Sequence, residues 1–187
     1  MGRSCGGPNL TQPEPKPTLS VAIPTFNGEK YISALLHSIV NQTIQPNQIV
    51  ISDDGSSDGT IETAIMCMKR CSNISLLVLI NQGRHGPTGN YLNAIQKCSG
   101  DIVFLADQDD VWLATRCQEY LVFFTNPDVS LVAADSHLTN EELRPLGSRL
   151  WKLPIRKRFR KYLASKHGIA AITKSMVRLI NNCHSLA

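Results

Sequence analysis

Short apolar runs alternate with amphipathic segments along the first 135 residues of the chain. Apolar runs of roughly four to eight residues, bounded by turn-forming residues, are typical of buried strands. Runs of this kind predict five strands, at 19–26, in the first part of 47–60, at 74–81, at 101–106 and at 129–135.

The segments between these runs have the period of a helix. In 29–42 the apolar residues recur at spacings of three and four, which places them on one side of a helix: Ile32, Leu35, Leu36, Ile39 and Val40. Similar patterns predict helices at about 60–71, with Asp58 as its N-cap, and at about 88–98. A fourth helix, over 111–124, has its apolar face on Leu113, Cys117, Tyr120, Leu121 and Phe124.

Buried strands that alternate with helices predict an α/β fold with a mainly parallel sheet flanked by helices. After residue 136 the chain has no clean period, which indicates a long loop with one helix. A late strand is expected at 168–173, and a short last helix at 174–183. The length of 187 residues suits one domain, placed at 18–187. Residues 1–17, rich in Gly, Pro and polar side chains, are expected to form a disordered leader.

Polar side chains follow each of the first four predicted strands. Thr25 and Asn27 come after the first, Asp53 and Asp54 after the second, and Asn81 after the third. An acidic cluster at 107–110 follows the fourth. Because ligands bind at the carboxyl ends of parallel strands, we expect these side chains to form one binding edge.

The acidic cluster contains Asp107, Asp109 and Asp110. Carboxylates this close repel one another, and a hard divalent cation such as Mg²⁺ or Mn²⁺ cancels that repulsion. Mg²⁺ typically takes one or two carboxylates and completes its shell with phosphates. The cluster therefore indicates a metal–diphosphate site, with a solvated loop as the alternative. In that alternative Asp110 caps the helix over 111–124.

Two further motifs lie at the same edge. In "ISDDGSSDGT", Asp53 and Asp54 offer acceptors for a base or ribose, although a turn with a helix cap explains the motif equally well. In "IPTFNGE", Pro24 sets a bend, Phe26 offers an aromatic face, and Asn27 and Glu29 offer polar groups. Neither of the Gly-rich phosphate-binding motifs, G-x-x-x-x-G-K-[ST] or G-x-G-x-x-G, is present.

The net charge of +4 has a local origin, because five of the 19 basic residues lie in one run: Arg156, Lys157, Arg158, Arg160 and Lys161. The other 14 bases face 15 acids, so the chain has no general nucleic-acid footprint. No apolar stretch reaches the roughly 20 residues that span a bilayer. The six cysteines form no C-x-x-C pair and predict reduced thiols in a cytoplasmic protein.

Three segments in this order and spacing resemble the family 2 glycosyltransferases of the GT-A (nucleotide-diphospho-sugar transferase) fold: "SVAIPTFNGEKYISALLHSIVNQT", "IVISDDGSSDGT" and "GDIVFLADQDDVW". The segment "HGPTGNYLNAIQKCSGDIVFLADQDDVW" looks most like the bacterial rhamnosyltransferase-type branch. The resemblance implies an inverting, metal-dependent transfer from a UDP- or dTDP-sugar donor. The implied acceptor is a growing surface polysaccharide or a lipid-linked saccharide.

The resemblance also implies roles for individual residues. The nucleoside site would comprise Pro24, Thr25, Phe26, Asn27 and Glu29. Asp54, with Asp53, would bind the base, and Asn90 would also contact the donor. The family's DXD motif maps onto Asp107, Gln108 and Asp109, with Asp107 near the ribose and Asp109 on the metal beside Asp110.

The chain departs from the family pattern at two places. Gly89 precedes Asn90, where many members have Arg. No residue matches the family's acidic general base, because none of the five acidic residues after Asp110 stands in its context: Glu119, Asp128, Asp135, Glu141 and Glu142. We therefore expect a chain truncated on its acceptor side, or a naturally short relative. The alternative function is donor binding without sugar transfer.

The basic run 156–161 lies where the family places its acceptor-side loop. It would contact anionic lipid head groups or a lipid diphosphate on the inner face of the membrane. A solvated loop is the alternative explanation for the run.

Overall fold

The computed structural model describes residues 16–149 and the backbone of 169–173. The strands are β1 (Leu19–Thr25), β2 (Gln48–Asp53), β3 (Ser75–Ile80), β4 (Ile102–Leu105), β5 (Val129–Ala134), β6 (His137–Thr139), β7 (Pro145–Arg149) and β8 (Ile169–Thr173). The helices are α1 (Glu29–Val40), α2 (Thr60–Met68), α3 (Pro87–Ile95) and α4 (Arg116–Phe124). The chain divides into two compact units, residues 1–114 and 115–187.

The first unit contains a four-stranded sheet in the order β3-β2-β1-β4, and each neighbouring pair is parallel. These pairings confirm the predicted parallel sheet. Its two central strands, β1 and β2, are buried on both faces, as is usual for parallel strands. Ala22 and Val50 form a core cluster with Ala94 of α3. Alternation along the strand turns Val21 and Ile23 to the opposite face.

The α1 stripe is confirmed, with Ile32, Leu35, Leu36 and Ile39 all buried. Pro24 lies within β1. Ala22 and Thr25 direct their carbonyls to β4 and β2 respectively, so Pro24 faces the β4 side, where strand pairing has already ended. Its missing N–H therefore removes no ladder hydrogen bond.

The second unit differs from the sequence-based expectation in two ways. β5 pairs antiparallel with β8 in a two-stranded sheet of its own, so it does not extend the parallel sheet. The strand expected at 168–173 is confirmed as β8. The expected loop after residue 136 begins instead with an antiparallel hairpin of β6 and β7.

α4 begins at Arg116 with Thr115 as N-cap, later than predicted. Residues 112–114 are held outside the helix by bonds to the end of α1: the Trp112 N–H donates to Ser38, and the Leu113 and Ala114 carbonyls accept from Gln42 and Thr43. Asp110 therefore does not cap this helix, and Leu113 is exposed.

Several predictions fall outside the described residues: most of the leader over 1–17, the basic run 156–161 and the last helix over 174–183. Within residues 16–149, no helix is long and apolar enough to cross a membrane.

Candidate functional site at the carboxyl edge of the sheet

The predicted site residues all lie in the first unit, at the carboxyl ends of β1, β2 and β4 or on α3. Hydrogen bonds join the loops that carry them. The structure therefore brings the three sequence motifs together, as expected for one edge of a parallel sheet. Some of these side chains are hydrogen-bonded within the protein, whereas others are exposed to solvent.

Asp53 is a buried brace of the β2–α2 loop. Its Oδ1 accepts from the Gly55 and Ser56 N–H groups at 3.0 and 2.7 Å, and its Oδ2 accepts from the Ser56 and Thr25 hydroxyls at 2.6 and 2.7 Å. Asp53 is 0% exposed and Thr25 is 1% exposed. These two side chains are committed to hydrogen bonds within the protein, and their predicted contact with a ligand stays a prediction. They shape the loop, whose Gly55 adopts a φ of 88°.

Asp54 holds the β3–α3 loop. Its Oδ1 accepts from Asn81 Nδ2 and His85 Nδ1, both at 2.8 Å, and its Oδ2 accepts from the Gly86 N–H at 2.7 Å. The pKa of Asp54 is lowered, chiefly by the Gly86 N–H and further by Asn81 and His85, against the opposing effect of burial. Asp54 is thus a charged anchor at the start of α3, a position that favours a carboxylate.

Asn27 and Glu29 connect the β1–α1 loop to the β2–α2 loop. Asn27 adopts a left-handed φ of 47°, which asparagine tolerates better than most residues. Its N–H donates to Ser56 Oγ at 2.8 Å, and its Oδ1 accepts from the Ser57 N–H at 2.9 Å. Glu29 Oε2 accepts from the Gly59 N–H at 3.0 Å. Asp58 lies one residue before the α2 N-cap, Gly59, and accepts from the Thr60 N–H.

Gln108 clamps the backbone of Phe26. The Phe26 N–H donates to Gln108 Oε1 at 2.9 Å, and Gln108 Nε2 donates to the Phe26 carbonyl at 3.1 Å. Gly28 admits this amide, since a Cβ there would lie 2.4 Å from Gln108 Oε1. The clamp fixes the backbone of Phe26, whose residue surface is 56% exposed. The aromatic face predicted at Phe26 is therefore available to a ligand.

The carboxylates of the acidic turn, residues 107–110, differ in their hydrogen-bond partners. Asp107 Oδ1 accepts from the Tyr91 hydroxyl at 2.8 Å, and the Asp110 N–H donates to the Asp107 carbonyl at 3.1 Å. Asp109 is exposed, and its carboxylate has no hydrogen-bond or ion-pair partner within residues 16–149. No group of three His, Cys, Asp or Glu side chains in that range is arranged to hold a metal by itself. One or two carboxylates with a ligand diphosphate suit Mg²⁺ or Mn²⁺.

α3 and the loop before it contribute one predicted residue, Asn90, and two that the sequence motifs did not reveal, Tyr91 and His85. Asn90, one of the predicted donor contacts, is buried and donates to the Thr25 carbonyl at 3.0 Å, while its Oδ1 has no partner in the described part of the chain. Tyr91 and His85 reach Asp107 and Asp54 respectively. Both pairings cross between loops distant in sequence, so no local pattern identifies them.

A sequence profile for "Glycosyl transferase family 2" matches residues 20–179, which is most of the chain. The chain belongs to this family. One similar protein is the GalNAc(5)-diNAcBac-PP-undecaprenol beta-1,3-glucosyltransferase of Campylobacter jejuni, 36% identical over 98 residues, or 52% of the chain and 31% of that protein. Another is the UDP-Glc:alpha-D-GlcNAc-diphosphoundecaprenol beta-1,3-glucosyltransferase WfgD of Escherichia coli, 25% identical over 65% of the chain and 47% of that protein. The match thus spans less than half of either relative.

Solved structures support the same family and fold. TarS 1-349 of S. aureus in complex with UDP is 28% identical with a TM-score of 0.51, covering 58% of this chain and 32% of that one. The mannosyltransferase PcManGT of Pyrobaculum calidifontis has a TM-score of 0.60 at 18% identity, covering 90% of this chain and 48% of that one. The second likeness shows the fold alone. The predicted α/β fold of the GT-A type is confirmed.

Proposed function

We propose that this chain binds a nucleotide-sugar donor in a metal-dependent, inverting glycosyltransferase that acts on a saccharide or lipid-linked acceptor. One observation carries the proposal. At an edge where the protein uses most of its polar groups internally, the Asp109 carboxylate is exposed and without a partner among the described residues. The exposed ring of Phe26 follows a neighbouring strand end. A carboxylate that holds a divalent cation suits a diphosphate, and an aromatic ring suits a nucleobase.

TarS and the E. coli relative support a nucleotide with a pyrimidine base. TarS 1-349 was solved with UDP and with UDP-GlcNAc. The name of the E. coli relative specifies UDP-Glc as donor and a diphosphoundecaprenol-linked acceptor. We extend these properties to this chain as a UDP- or dTDP-sugar donor and a lipid-linked acceptor. The rhamnosyltransferase-type resemblance and the membrane contact through 156–161 stay predictions.

Within this proposal we give the site residues different tasks. Phe26 stacks on the base, and Asp54 lies beside it, close to the Gly86 N–H and His85. Asp107 and Asp109, with Asp110 in the same turn, would hold the divalent cation. When bound, that cation neutralises the charge of the diphosphate leaving group. Asp53, Thr25, Gln108 and Glu29 keep the loops in place through the bonds described above.

Nucleotide titration tests the proposal directly. Calorimetric titration of UDP and dTDP, each with and without Mn²⁺, is expected to show tighter binding with the metal. In Asp109→Ala we expect the metal-dependent part of the affinity to fall by about tenfold or more, as for loss of a metal ligand or its support. Asp128→Ala is the matched control, since it removes an exposed carboxylate from the second unit. Undiminished metal-dependent binding in Asp109→Ala would overturn the assignment.

A second candidate function is donor binding without sugar transfer. Two of the described acidic residues after Asp110 are engaged within the second unit: Asp135 Oδ2 lies 3.9 Å from Arg149 Nη1, and Glu142 accepts from Asn140. These contacts favour a structural role for Asp135 and Glu142 over the role of a general base. Incubation with UDP-glucose and an undecaprenol-diphosphate-linked saccharide separates the two functions. Glycosylated lipid indicates transfer, whereas metal-dependent UDP binding without product indicates the second candidate.

A further inference from the structure

Tyr91 of α3 reaches into the acidic turn that follows β4. Its half-buried side chain donates a hydrogen bond from the hydroxyl to Asp107 Oδ1 at 2.8 Å. Burial raises the pKa of Tyr91, and the hydrogen bond to Asp107 and the charges of Asp107, Asp110 and Asp109 raise it further. A tyrosine hydroxyl is protonated at neutral pH in any case, and here its geometry makes it a donor to the carboxylate.

The helix that carries Tyr91 is anchored to the strand ends on both sides of this residue. The Gly86 N–H binds Asp54, Asn90 Nδ2 binds the Thr25 carbonyl, and Asn93 Nδ2 binds Ser52 Oγ at 2.8 Å. Asn90 is 2% exposed, so the residue adjacent to Tyr91 is embedded in the site. These anchors fix the base of the Tyr91 side chain relative to β1 and β2.

Asp107 depends on this hydroxyl for its orientation. The surface of Asp107 is exposed, and the Tyr91 hydroxyl is the hydrogen-bond donor to its carboxylate among the described residues. A carboxylate without a donor turns about its terminal torsion, because that torsion has a broad, shallow preference. With Oδ1 held at 2.8 Å by Tyr91, Oδ2 is the oxygen left for a ligand.

We propose that Tyr91 is a positioning residue that holds one oxygen of Asp107 so that the other faces the divalent cation of a bound nucleotide. This inference rests on the proposed function, because it requires metal-dependent nucleotide binding at the same turn. A donor behind a metal-binding group typically orients that group and tunes its affinity for the metal. Tyr91 acts through Asp107 and does not itself contact the nucleotide.

Calorimetric titration of UDP with and without Mn²⁺ tests this role in Tyr91→Phe. We expect the gain in UDP affinity on adding Mn²⁺ to fall by about tenfold, the usual lower range for loss of a group that orients a metal ligand. UDP affinity without Mn²⁺ stays within about twofold of wild type, and the thermal midpoint falls by no more than the few degrees that loss of one hydrogen bond causes. Tyr31→Phe is the matched control, because it also removes one tyrosine hydroxyl but lies on α1. The Tyr31 ring faces Lys30 Nζ, which lies 5.4 Å from the ring centroid.

A double-mutant cycle identifies the route of the effect. In an Asp107→Ala background the Tyr91→Phe change should cause no further loss of metal-dependent affinity, because its target is gone. An equal loss in both backgrounds would overturn the positioning role. So would an unchanged Mn²⁺ effect in Tyr91→Phe, or a parallel fall of metal-free affinity and thermal midpoint. If wild type shows no Mn²⁺ effect on UDP binding, the proposed function itself fails.

Discussion

The Glu29 and Asp58 carboxylates link the starts of α1 and α2 by two hydrogen bonds to backbone N–H groups. The Glu29 N–H at the start of α1 donates to Asp58 Oδ2 at 3.2 Å, and Glu29 Oε2 accepts from the N–H of Gly59, the N-cap of α2, at 3.0 Å. Each carboxylate thus satisfies a backbone donor of the other segment. This exchange fixes the spacing of the two loops that carry Asn27 and Ser56, which are themselves bonded.

Removing the Glu29 side chain should destabilise the protein. We expect Glu29→Ala to lower the free energy of unfolding by roughly 0.5–1 kcal/mol, as for loss of a helix-capping side chain. Glu29→Gln keeps an acceptor oxygen and should lose less. Urea unfolding measures both. Glu62→Ala is the control, because Glu62 is also acidic and lies in the first turn of α2. Equal losses in Glu29→Ala and Glu62→Ala would refute the exchange.

An alanine at position 28 should release the clamp on Phe26. Its Cβ would meet Gln108 Oε1 at 2.4 Å and Gln108 Cδ at 2.7 Å, so the flexible amide must move away. We expect Gly28→Ala and Gln108→Ala each to cost about 1 kcal/mol of unfolding free energy, the usual net contribution of a hydrogen bond. The double variant should lose no more than either single one, because both changes remove the same pair of bonds. Additive losses in urea unfolding would contradict this coupling.

The elements of the first unit could be predicted from the sequence because its apolar runs and helical stripes record burial directly. The stripe of α1 is an example: every residue from the predicted set except Val40 is buried. The hairpin of β6 and β7 could not be predicted in this way. β7 is largely exposed, and its turn places Leu143 at a φ of 60°, a conformation that a leucine gives no reason to expect.

The chemistry of the site was only partly predictable for a different reason. The sequence shows which carboxylates stand at the strand ends, but not which donors reach them. Asp53 and Asp109 occupy similar places after strands, yet Asp53 is enclosed by Thr25, Gly55 and Ser56 while Asp109 is exposed. The difference arises from tertiary pairing between loops. The bond from Tyr91 to Asp107 could not be predicted for the same reason, since the two residues are 16 positions apart in the sequence.

Gly89 should be intolerant of substitution. A Cβ at this position would lie 1.8 Å from the Arg84 carbonyl oxygen, which belongs to the backbone and cannot turn aside. We expect Gly89→Ala to cost about 2–3 kcal/mol, the upper range for overpacking, in urea unfolding. UDP affinity should fall as well, because the displaced loop supplies the donors to Asp54. In the control Gly83→Ala the new Cβ lies 3.4 Å from Asn81 Oδ1. Similar stability of the two variants would contradict the close approach.

The pKa of Asp54 leads to a pH dependence of stability. Because the folded pKa lies below the ordinary value of 3.8, the folded protein binds the Asp54 proton less tightly than the unfolded chain does. The resulting stabilisation is fully present above pH 3.8 and is lost as the pH falls through the folded pKa. The Gly86 N–H is the main cause, so Asp54→Asn should be less stable at neutral pH and should show a flatter decline below pH 3.8.

Urea unfolding between about pH 2 and pH 6 measures this decline, with Asp128→Asn as the charge-matched control. Part of the slope should persist in Asp54→Asn, because hydrogen bonds from Thr60 and from Thr18 also lower the pKa values of Asp58 and Asp101. If Asp54→Asn keeps the wild-type slope, then Gly86, Asn81 and His85 do not favour the charged form of Asp54. A flattened slope in that variant alone would show that Asp54 anchors the start of α3 as a carboxylate.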